Sequence, residues 1–380
     1  MTKGSQKVYP VKSPVKSFAE GKRKSKILFN RGISLKAKLF NRVKFPSELR
    51  FDLISKDWVV IATGRARRPE TFKAEQRKID KVPKSECPFC KIATQEKPTL
   101  IFSNGKKMPQ SKGIPKNWTT IVIPNKYPAF LPFPKLDKHI EGGLYETVNA
   151  VGFHEVVVTR SHEKQLAQFS LKEVKEVFDV YQERYRDLMK KNFVNHISIF
   201  HNHGFESGAS IAHPHSQIIT TPLVDVDVQK GLLNSEKYFK TNRKCIYCQM
   251  NEWERKVKKR VIFENKQFLA VCPFASKSAF QVIVSPKSHL SYFEKANDEE
   301  KRQLSEAFRA ALKKVYKGLD DPPYNFYLHT APCDGKKYGY YHWHWTILPK
   351  TATWAGFELG ARMEISTIAP EKAAAYLRKQ

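Results

Sequence analysis

Apolar and polar residues alternate over several short stretches of this chain, a pattern that predicts half-buried β-strands. The clearest stretches are HEVVVTR at residues 154–160 and AFQVIVS at residues 279–285. Two longer segments, at residues 170–191 and 297–319, instead repeat apolar residues every three or four positions. That period is typical of an amphipathic helix. The sequence therefore predicts an α+β fold of short strands and long helices.

Both helical segments open with a capping box, in which a polar residue is followed three positions later by glutamate. The two boxes are Ser170 with Glu173 and Asn297 with Glu300. In the first segment an apolar stripe begins at Val174. We expect each helix to begin at its box and to pack its apolar stripe against a sheet.

Four landmarks occur twice and in the same order: a Cys-x-x-Cys pair, an Asn-Lys turn, a strand that ends in histidine, and a strand with two histidines one residue apart. The last interval is 51 residues in the first copy, His162 to His213, and 53 in the second, His289 to His342. Such a repeat indicates duplication. We predict a tail and two tandem domains, each an antiparallel sheet with one long packed helix, with bounds 1–45, 46–225 and 226–380.

The composition favours a globular protein without a membrane span. Of 380 residues, 41% are hydrophobic and 12% aromatic, which is enough for a sizeable core. No run of about 18 apolar residues occurs, so no transmembrane helix is expected. The basic N-terminus lacks the apolar segment of a signal peptide, so the expected location is the cytoplasm.

The formal net charge is +30, and much of the excess lies at the start of the chain. Residues 1–44 hold thirteen lysines and arginines against a single acid, Glu20. With few large apolar residues, this segment is predicted to be disordered. The segment is either a simple solvated extension or a tail that is weakly and non-specifically attracted to nucleic acid and other acidic surfaces.

Four of the six cysteines form two pairs at identical spacing, CPFC at residues 87–90 and CIYC at residues 245–248. In a cytoplasmic chain such pairs bind metal or act in redox chemistry more often than they form structural disulfides. Two pairs that each precede distant histidines favour metal over redox chemistry. The alternative is a set of buried free thiols and core histidines.

A structural zinc site needs four nitrogen or sulfur ligands in a tetrahedron. Each half offers two cysteines, the histidine at a strand end and the first of the paired histidines. The predicted zinc ligands are Cys87, Cys90, His162 and His213 in the first half and Cys245, Cys248, His289 and His342 in the second. Recurrence of the set strengthens the prediction, because chance would have to place it twice. Iron is an alternative at the second site.

Residues two apart on a strand share a face, so His213, His215 and Gln217 should point the same way. With His213 on a metal ion, His215 would lie beside a rigid anchor with its ring free to act as a nucleophile. The glycine-bearing loop at residues 202–210 could direct N–H groups at phosphate oxygens. Gln217 could donate to a phosphoryl oxygen as charge builds on it. These residues predict attack on phosphorus.

These motifs resemble those of a known family. From about Ser47 to Lys379 the chain is similar to the galactose-1-phosphate uridylyltransferase branch of the histidine-triad (HIT) superfamily, which includes ADP-glucose phosphorylases. That branch is a duplicated HIT fold with a metal site in each half. The segments that carry the resemblance are GRARRP, CPFC, NKYPAF, RSHEKQL, NHGFESGASIAHPHSQ, HTAPCDG, HWHW and GFELG.

The resemblance implies a nucleotidyltransferase that acts on nucleotide sugars through a covalent nucleotidyl-histidine, which a sugar phosphate or phosphate then resolves. It makes His215 the nucleophile and Gln217 the donor that stabilises the phosphate. It also implies a homodimer, because the resembled enzymes build their active sites across two subunits. The residues that it places on the nucleotide or its phosphates are Arg65, Arg68, Asn125, Asn202 and Ser210.

The second half lacks the partners of the nucleophile. Thr346 stands opposite Gln217 and Trp345 opposite Ser216, so His344 is interpreted as structural or as a further metal ligand. GFELG and Ser216 look like the ADP-glucose phosphorylase subgroup, which leaves the acceptor open.

The leading hypothesis is therefore a UDP-glucose–hexose-1-phosphate uridylyltransferase-like enzyme. The alternative within the same chemistry is a phosphorylase of ADP-glucose or of a dinucleoside polyphosphate. A hydrolase of the small histidine-triad type is a further possibility, although the duplicated, metal-bearing length argues for transfer. The remote alternative is a non-catalytic, zinc-stabilised module whose basic tail binds nucleic acid.

Overall fold

An eleven-stranded antiparallel sheet forms the centre of the protein. The computed structural model describes residues 47–65, 82–133 and 135–380, so the predicted tail at 1–45 lies outside the described residues. The strands of the described part are β1 (Glu48–Phe51), β2 (Trp58–Ile61), β3 (Leu100–Ser103), β4 (Lys106–Lys107), β5 (Thr120–Pro124), β6 (Lys138–Glu141), β7 (Tyr145–Val148), β8 (His154–Thr159), β9 (His196–His203), β10 (His215–Thr221), β11 (Val261–Glu264), β12 (Phe268–Val271), β13 (Val282–Pro286), β14 (Tyr324–His329), β15 (His344–Pro349) and β16 (Ile365–Ser366).

Helices cover the sheet and connect its strands. Those in the described part are α1 (Leu171–Leu188), α2 (Val226–Asn242), α3 (Ile246–Val257), α4 (Asp298–Leu319), α5 (Gly356–Ala361) and α6 (Pro370–Arg378). None of these helices combines the length and the apolar character that a membrane span requires. The prediction of an α+β fold with an antiparallel sheet is confirmed.

The order of strands in the large sheet is β11-β12-β13-β15-β14-β9-β10-β8-β5-β3-β4. Strands β9 and β14 pair in the middle, from Tyr324 opposite His203 to Tyr327 opposite Phe200. On one side of this pair β9, β10, β8, β5 and β3 follow each other outward, and on the other side β14, β15, β13, β12 and β11 do so. The predicted two sheets are therefore joined edge to edge, and the predicted boundary at 225/226 falls between β10 and α2.

The two long helices begin where their capping boxes predict. The Ser170 N–H donates to a carboxylate oxygen of Glu173 at 2.6 Å, and the Glu173 N–H donates to the Ser170 hydroxyl at 3.3 Å. The same reciprocal bonds join Asn297 and Glu300 at 2.8 and 2.9 Å. Each box satisfies N–H groups that a helix start would otherwise leave unpaired.

The apolar stripes of α1 and α4 pack together on one face of the sheet. Phe178 of α1 contacts Phe308 of α4 and Trp345 of β15, and both ring-centroid distances are 5.2 Å. Burying an aromatic side chain of this size stabilises the fold by about 1.5–3 kcal/mol. Because the helices occupy this face, odd-numbered residues at the start of β10, His215 and Gln217, lie on the other face.

Two expected strands differ in their bounds. The stretch at 279–285 forms a strand only from Val282, because Phe280 adopts a positive φ of 64° that an extended strand cannot contain. The histidines predicted at strand ends, His162 and His289, lie in the loops just after β8 and β13. His213 precedes β10 rather than lying in it, since Pro214 has no N–H for the ladder.

Candidate active site and metal groups

The fold brings the four predicted metal ligands of the first half close together. The ligand atoms of Cys87, Cys90, His162 and His213 all lie within 4.8 Å of one another. The Sγ atom of Cys90 is 3.2 Å from Nδ1 of His162 and 3.6 Å from Nδ1 of His213, and the two Nδ1 atoms are 3.3 Å apart. Around a tetrahedral zinc ion with bonds of about 2.0–2.3 Å, adjacent ligand atoms are roughly 3.3–3.8 Å apart. The group therefore has the dimensions of a zinc site.

Backbone carbonyls fix how both histidine rings of this group are protonated. Nε2 of His162 donates to the carbonyl of Val82 at 3.0 Å, and Nε2 of His213 donates to the carbonyl of Thr159 at 2.8 Å. Each Nδ1 lone pair is then free to face the cysteines, as metal binding requires. Burial also lowers the pKa of His213 to about 4, so its ring is neutral at neutral pH.

The second predicted group has the same construction. Cys245, Cys248, His289 and His342 also place their ligand atoms within 4.8 Å of one another. Sγ of Cys248 lies 3.5 Å from Nδ1 of His289 and 3.6 Å from Nδ1 of His342. Here too Nε2 of each ring donates to a backbone carbonyl, at 2.7 and 2.9 Å. Both groups are consistent with zinc.

His215 is held directly beside the first group. Its Nδ1–H donates to the carbonyl of His213 at 2.9 Å, which leaves the lone pair on Nε2. Phe89, between the two cysteines of CPFC, packs its ring 4.9 Å from the His215 ring and 5.7 Å from the His213 ring. Burial lowers the pKa of His215, so the ring stays neutral at neutral pH. A neutral imidazole with a fixed tautomer is a competent nucleophile.

Gln217 and Asn125 meet at a histidine that the sequence analysis did not single out. Nε2 of His154, at the start of β8, lies 2.7 Å from Oε1 of Gln217 and 3.0 Å from Nδ2 of Asn125. The N–H of Ala129 donates to Nδ1 of the same ring at 3.2 Å. The residue after β5, the first residue of β8 and the third residue of β10 thus form one hydrogen-bonded group, Asn125, His154 and Gln217.

Asn202 lies near the end of β9, where one further step of the β9–β10 register would place it opposite His215. Its Oδ1 accepts a hydrogen bond from the Asn325 amide at 2.8 Å, and that amide also donates to the carbonyl of Ser207 at 2.9 Å. These bonds tie the glycine-bearing loop to β9 and β14. The loop requires glycine at Gly204, where φ is 83° and an added Cβ would lie 2.6 Å from Cβ of Pro323.

For the three other residues predicted to contact the nucleotide, no contact with the residues around His215 is recorded in the described part of the chain. Ser210 is exposed in the loop between β9 and β10. Arg65 is the last residue of a short 3-10 turn, Thr63–Arg65. Arg68 lies outside the described residues.

In the second half, the two histidines that lie one residue apart have different neighbours from those in the first half. Nε2 of His344 lies 3.1 Å from Nδ1 of His329, so the atom that corresponds to the free Nε2 of His215 is engaged. Thr346 stands in place of Gln217, and Trp345 is fully buried. These contacts agree with the interpretation of His344 as structural.

Two residues of the site escaped the sequence analysis. Phe89 is the central aromatic residue of CPFC, and that position was the available signal for it. The signal for His154 is a polar ring at the first position of an otherwise apolar strand, HEVVVTR. Neither residue could be assigned a partner from spacing alone.

The fold and the site together define an α+β protein that presents a histidine beside one of two Cys/His groups. A family model described as "Galactose-1-phosphate uridyl transferase, N-terminal domain" matches residues 40–225. A second, described as a domain of unknown function, DUF4921, matches residues 142–379.

Curated relatives and solved structures agree with this match. The ADP-glucose phosphorylase of Arabidopsis thaliana is 32% identical over 87% of this chain and 92% of its own length. The galactose-1-phosphate uridylyltransferase of Thermotoga maritima is 27% identical over 87% of this chain and 98% of its own length. The crystal structure of the Arabidopsis ADP-glucose phosphorylase with bound ADP-glucose matches with a TM-score of 0.72 at 28% identity, covering 88% of this chain and 99% of that one. The chain belongs to the family that contains ADP-glucose phosphorylases and galactose-1-phosphate uridylyltransferases, as its motifs predicted.

Proposed function

We propose that this protein is a nucleotidyltransferase that acts on nucleotide sugars through a covalent nucleotidyl group on His215. The observation that carries the proposal is the hydrogen bond from Nδ1 of His215 to the carbonyl of His213, 2.9 Å long, which leaves the lone pair of the imidazole on Nε2. Family membership supports the same chemistry, because the relatives are named as uridylyltransferases and as a phosphorylase of a nucleotide sugar.

The reaction proceeds in two displacements. Nε2 of His215 attacks the α-phosphorus, a P–N bond forms, and the bond from that phosphorus to the bridging oxygen breaks, so that the sugar 1-phosphate leaves with the electron pair. A phosphate oxygen of the acceptor then attacks the same phosphorus and breaks the P–N bond, which restores the neutral imidazole. Gln217 donates to a non-bridging oxygen, where charge increases in each transition state. Asn125, Asn202 and Ser210, with Arg65 and Arg68, bind the nucleotide and its phosphates.

Zinc is the metal that suits both Cys/His groups, with iron as an alternative at the second. Coordination supplies a rigid four-point anchor for the loops that carry the ligands. The two groups lie in tandem HIT-like domains, at 46–225 and 226–380. The matching strand order on either side of β9 and β14 supports this duplication. The family resemblance supports a homodimer.

Two acceptors fit this chemistry. The leading candidate is a hexose 1-phosphate, with UDP-glucose as donor, since most of the curated relatives compared are galactose-1-phosphate uridylyltransferases. The second is inorganic phosphate with ADP-glucose as donor, which Ser216, the GFELG segment and the 32% identical relative favour. A non-catalytic scaffold does not explain why Nε2 of His344 is engaged by His329 while, within the described residues, no hydrogen bond to Nε2 of His215 is recorded.

The test uses UDP-glucose and ADP-glucose labelled at the α-phosphate. Incubation of the full-length protein with each donor should give acid-labile label on the protein with one of them. Addition of galactose 1-phosphate or of phosphate should then remove the label, and the acceptor that removes it names the reaction. His215→Ala should abolish labelling, whereas His139→Ala, at an exposed strand position, should not change it. Absence of label with both donors from zinc-loaded protein contradicts the proposal.

A further inference from the structure

We propose that His154 is a positioning residue that turns the carboxamide of Gln217 so that its N–H groups face the phosphate. The inference deepens the proposed function and depends on it. It rests on three neighbouring strands, β10, β8 and β5, and on one hydrogen-bond chain, from Ala129 through His154 to Gln217.

The strand pairing brings these side chains together. In the register of β8 and β10, Gln217 lies opposite Val156 and Ile219 lies opposite His154. Residues opposite each other in an antiparallel pair share a face. His154 and Gln217 therefore stand as diagonal neighbours on the face that carries His215. The neighbouring β5 is fixed at the same end, because the N–H of Asn125 donates to the carbonyl of His154 at 2.8 Å.

The donors around the His154 ring determine where its proton lies. The backbone N–H of Ala129 can only donate, so Nδ1 of His154 is the acceptor and carries no proton. In a neutral imidazole the proton is then on Nε2, which donates to Oε1 of Gln217 at 2.7 Å. The amide nitrogen of Asn125, 3.0 Å from the same Nε2, is itself a donor, so within the described residues Oε1 of Gln217 is the acceptor recorded for the Nε2 proton.

This arrangement favours one of the two possible orientations of the Gln217 carboxamide. If the group turned over, its N–H groups would join the Asn125 amide in facing the Nε2–H of His154, and that proton would lose the acceptor it has in Oε1 of Gln217. With the oxygen held by His154, the nitrogen is left for another partner, and no hydrogen bond to it is recorded within the described residues. A preorganised donor of this kind lowers the barrier of phosphoryl transfer without reorganisation during the reaction.

The second half lacks the arrangement at the equivalent positions. Gln281 precedes His289 by the same number of residues as His154 precedes His162. Its Oε1 accepts from the backbone N–H of Lys277 at 2.7 Å, so it serves its own loop. Thr346, in place of Gln217, has no carboxamide to orient. The oriented donor is thus found with the free imidazole of His215 and is missing beside the paired imidazole of His344.

The first experiment measures the single-turnover rate at which label from the nucleotide sugar appears on the protein, together with its dependence on donor concentration. His154→Phe keeps a planar ring of similar size and removes the Nε2 donor. We expect the maximal rate to fall by about 10- to 100-fold with little change in the half-saturating donor concentration. Zinc content and melting temperature should match the wild type. His139→Phe is the control, because His139 is exposed on β6.

Two further variants separate positioning from other roles. His154→Gln restores an N–H donor near the position of Nε2 and should recover much of the rate. In a Gln217→Ala background, His154→Phe should cause no further loss, because its effect acts through Gln217. An equal loss in both backgrounds would show direct action of His154 on substrate and overturn the inference, as would a wild-type rate in His154→Phe. If the wild-type protein takes up no label, the proposed function itself fails, which is a different outcome.

Discussion

Phe89 packs its ring 4.9 Å from the imidazole of His215 and 5.7 Å from that of His213. The residue lies between Cys87 and Cys90, so the segment that carries two of the predicted metal ligands also packs against the proposed nucleophile. We therefore expect metal binding to affect the orientation of His215 through this aromatic side chain.

Phe89→Leu tests this coupling. Leucine keeps the side chain apolar but is smaller than phenylalanine, so the free energy of unfolding should fall by about 1–2 kcal/mol. The tilted aromatic contact with the imidazole is lost, and we expect slower labelling of His215 by nucleotide sugar at unchanged zinc content. Denaturant unfolding, metal analysis and the labelling rate measure the three quantities. A variant that labels at the wild-type rate would show that Phe89 serves only the core.

The two metal groups should differ in their effect on the reaction. Cys248→Ser should reduce the bound zinc from two ions per chain to one and lower the melting temperature, yet retain labelling, because His215 lies in the other half. Cys90→Ser should remove one zinc ion as well, but should also reduce labelling, because the first group holds the His213 carbonyl that accepts from His215. Metal analysis by mass spectrometry and labelling of the folded fraction provide the comparison. Equal loss of labelling in both variants contradicts this division of roles.

A buried hydrogen-bond chain behind β10 should contribute to stability. The hydroxyl of Ser216 lies 2.5 Å from that of Tyr181 and 3.0 Å from Nδ1 of His201, all on the helix-covered face. Tyr181→Phe removes one hydroxyl from this chain and leaves Ser216 with a single partner. We expect a loss of about 1–3 kcal/mol in the free energy of unfolding, measured with denaturant. No loss would show that the bond contributes nothing net.

His201 should make the stability depend on pH. Burial, followed by the charges of His203 and His215, holds the pKa of His201 well below its usual value. The unfolded chain, with a histidine pKa of about 6.5, then takes up a proton that the folded chain does not. Stability is therefore retained above about pH 6.5 and lost as the pH falls below it, by up to about 1.4 kcal/mol per pH unit for each such group.

His201→Asn isolates this contribution, because asparagine keeps a polar atom near Nδ1 and does not titrate. The slope of unfolding free energy against pH below 6.5 should be shallower in the variant than in the wild type. His139→Asn, at an exposed site, should leave the slope unchanged. Identical slopes for His201→Asn and the wild type would assign the pH dependence to other groups.

Local signals in the sequence were sufficient to predict where the two long helices begin and which residues form the two Cys/His groups. A capping box such as Ser170 with Glu173 acts within one turn, so it marks a helix start without knowledge of the fold. The recurrence of two cysteines and two histidines at matching intervals likewise predicted both Cys/His groups, because the duplicated spacing restricts which residues can meet.

Contacts that depend on strand pairing could not be predicted in the same way. The bond from His154 to Gln217 joins residues 63 positions apart and exists only in the observed register of β8 and β10. The pairing of β9 with β14, which joins the predicted two sheets into one, is a choice between strand edges that no periodicity encodes. The same limit applies to Phe89, whose motif identified its neighbours as ligands but gave no indication of the ring it contacts.

The location of the covalent nucleotidyl group tests the role of His215 most directly. Zinc-loaded protein is incubated with α-phosphate-labelled nucleotide sugar, quenched at alkaline pH, digested and mapped by mass spectrometry. We expect one nucleotidyl group per chain, on the imidazole of His215. Label on His344 or on another residue, or wild-type labelling in His215→Ala, would contradict it.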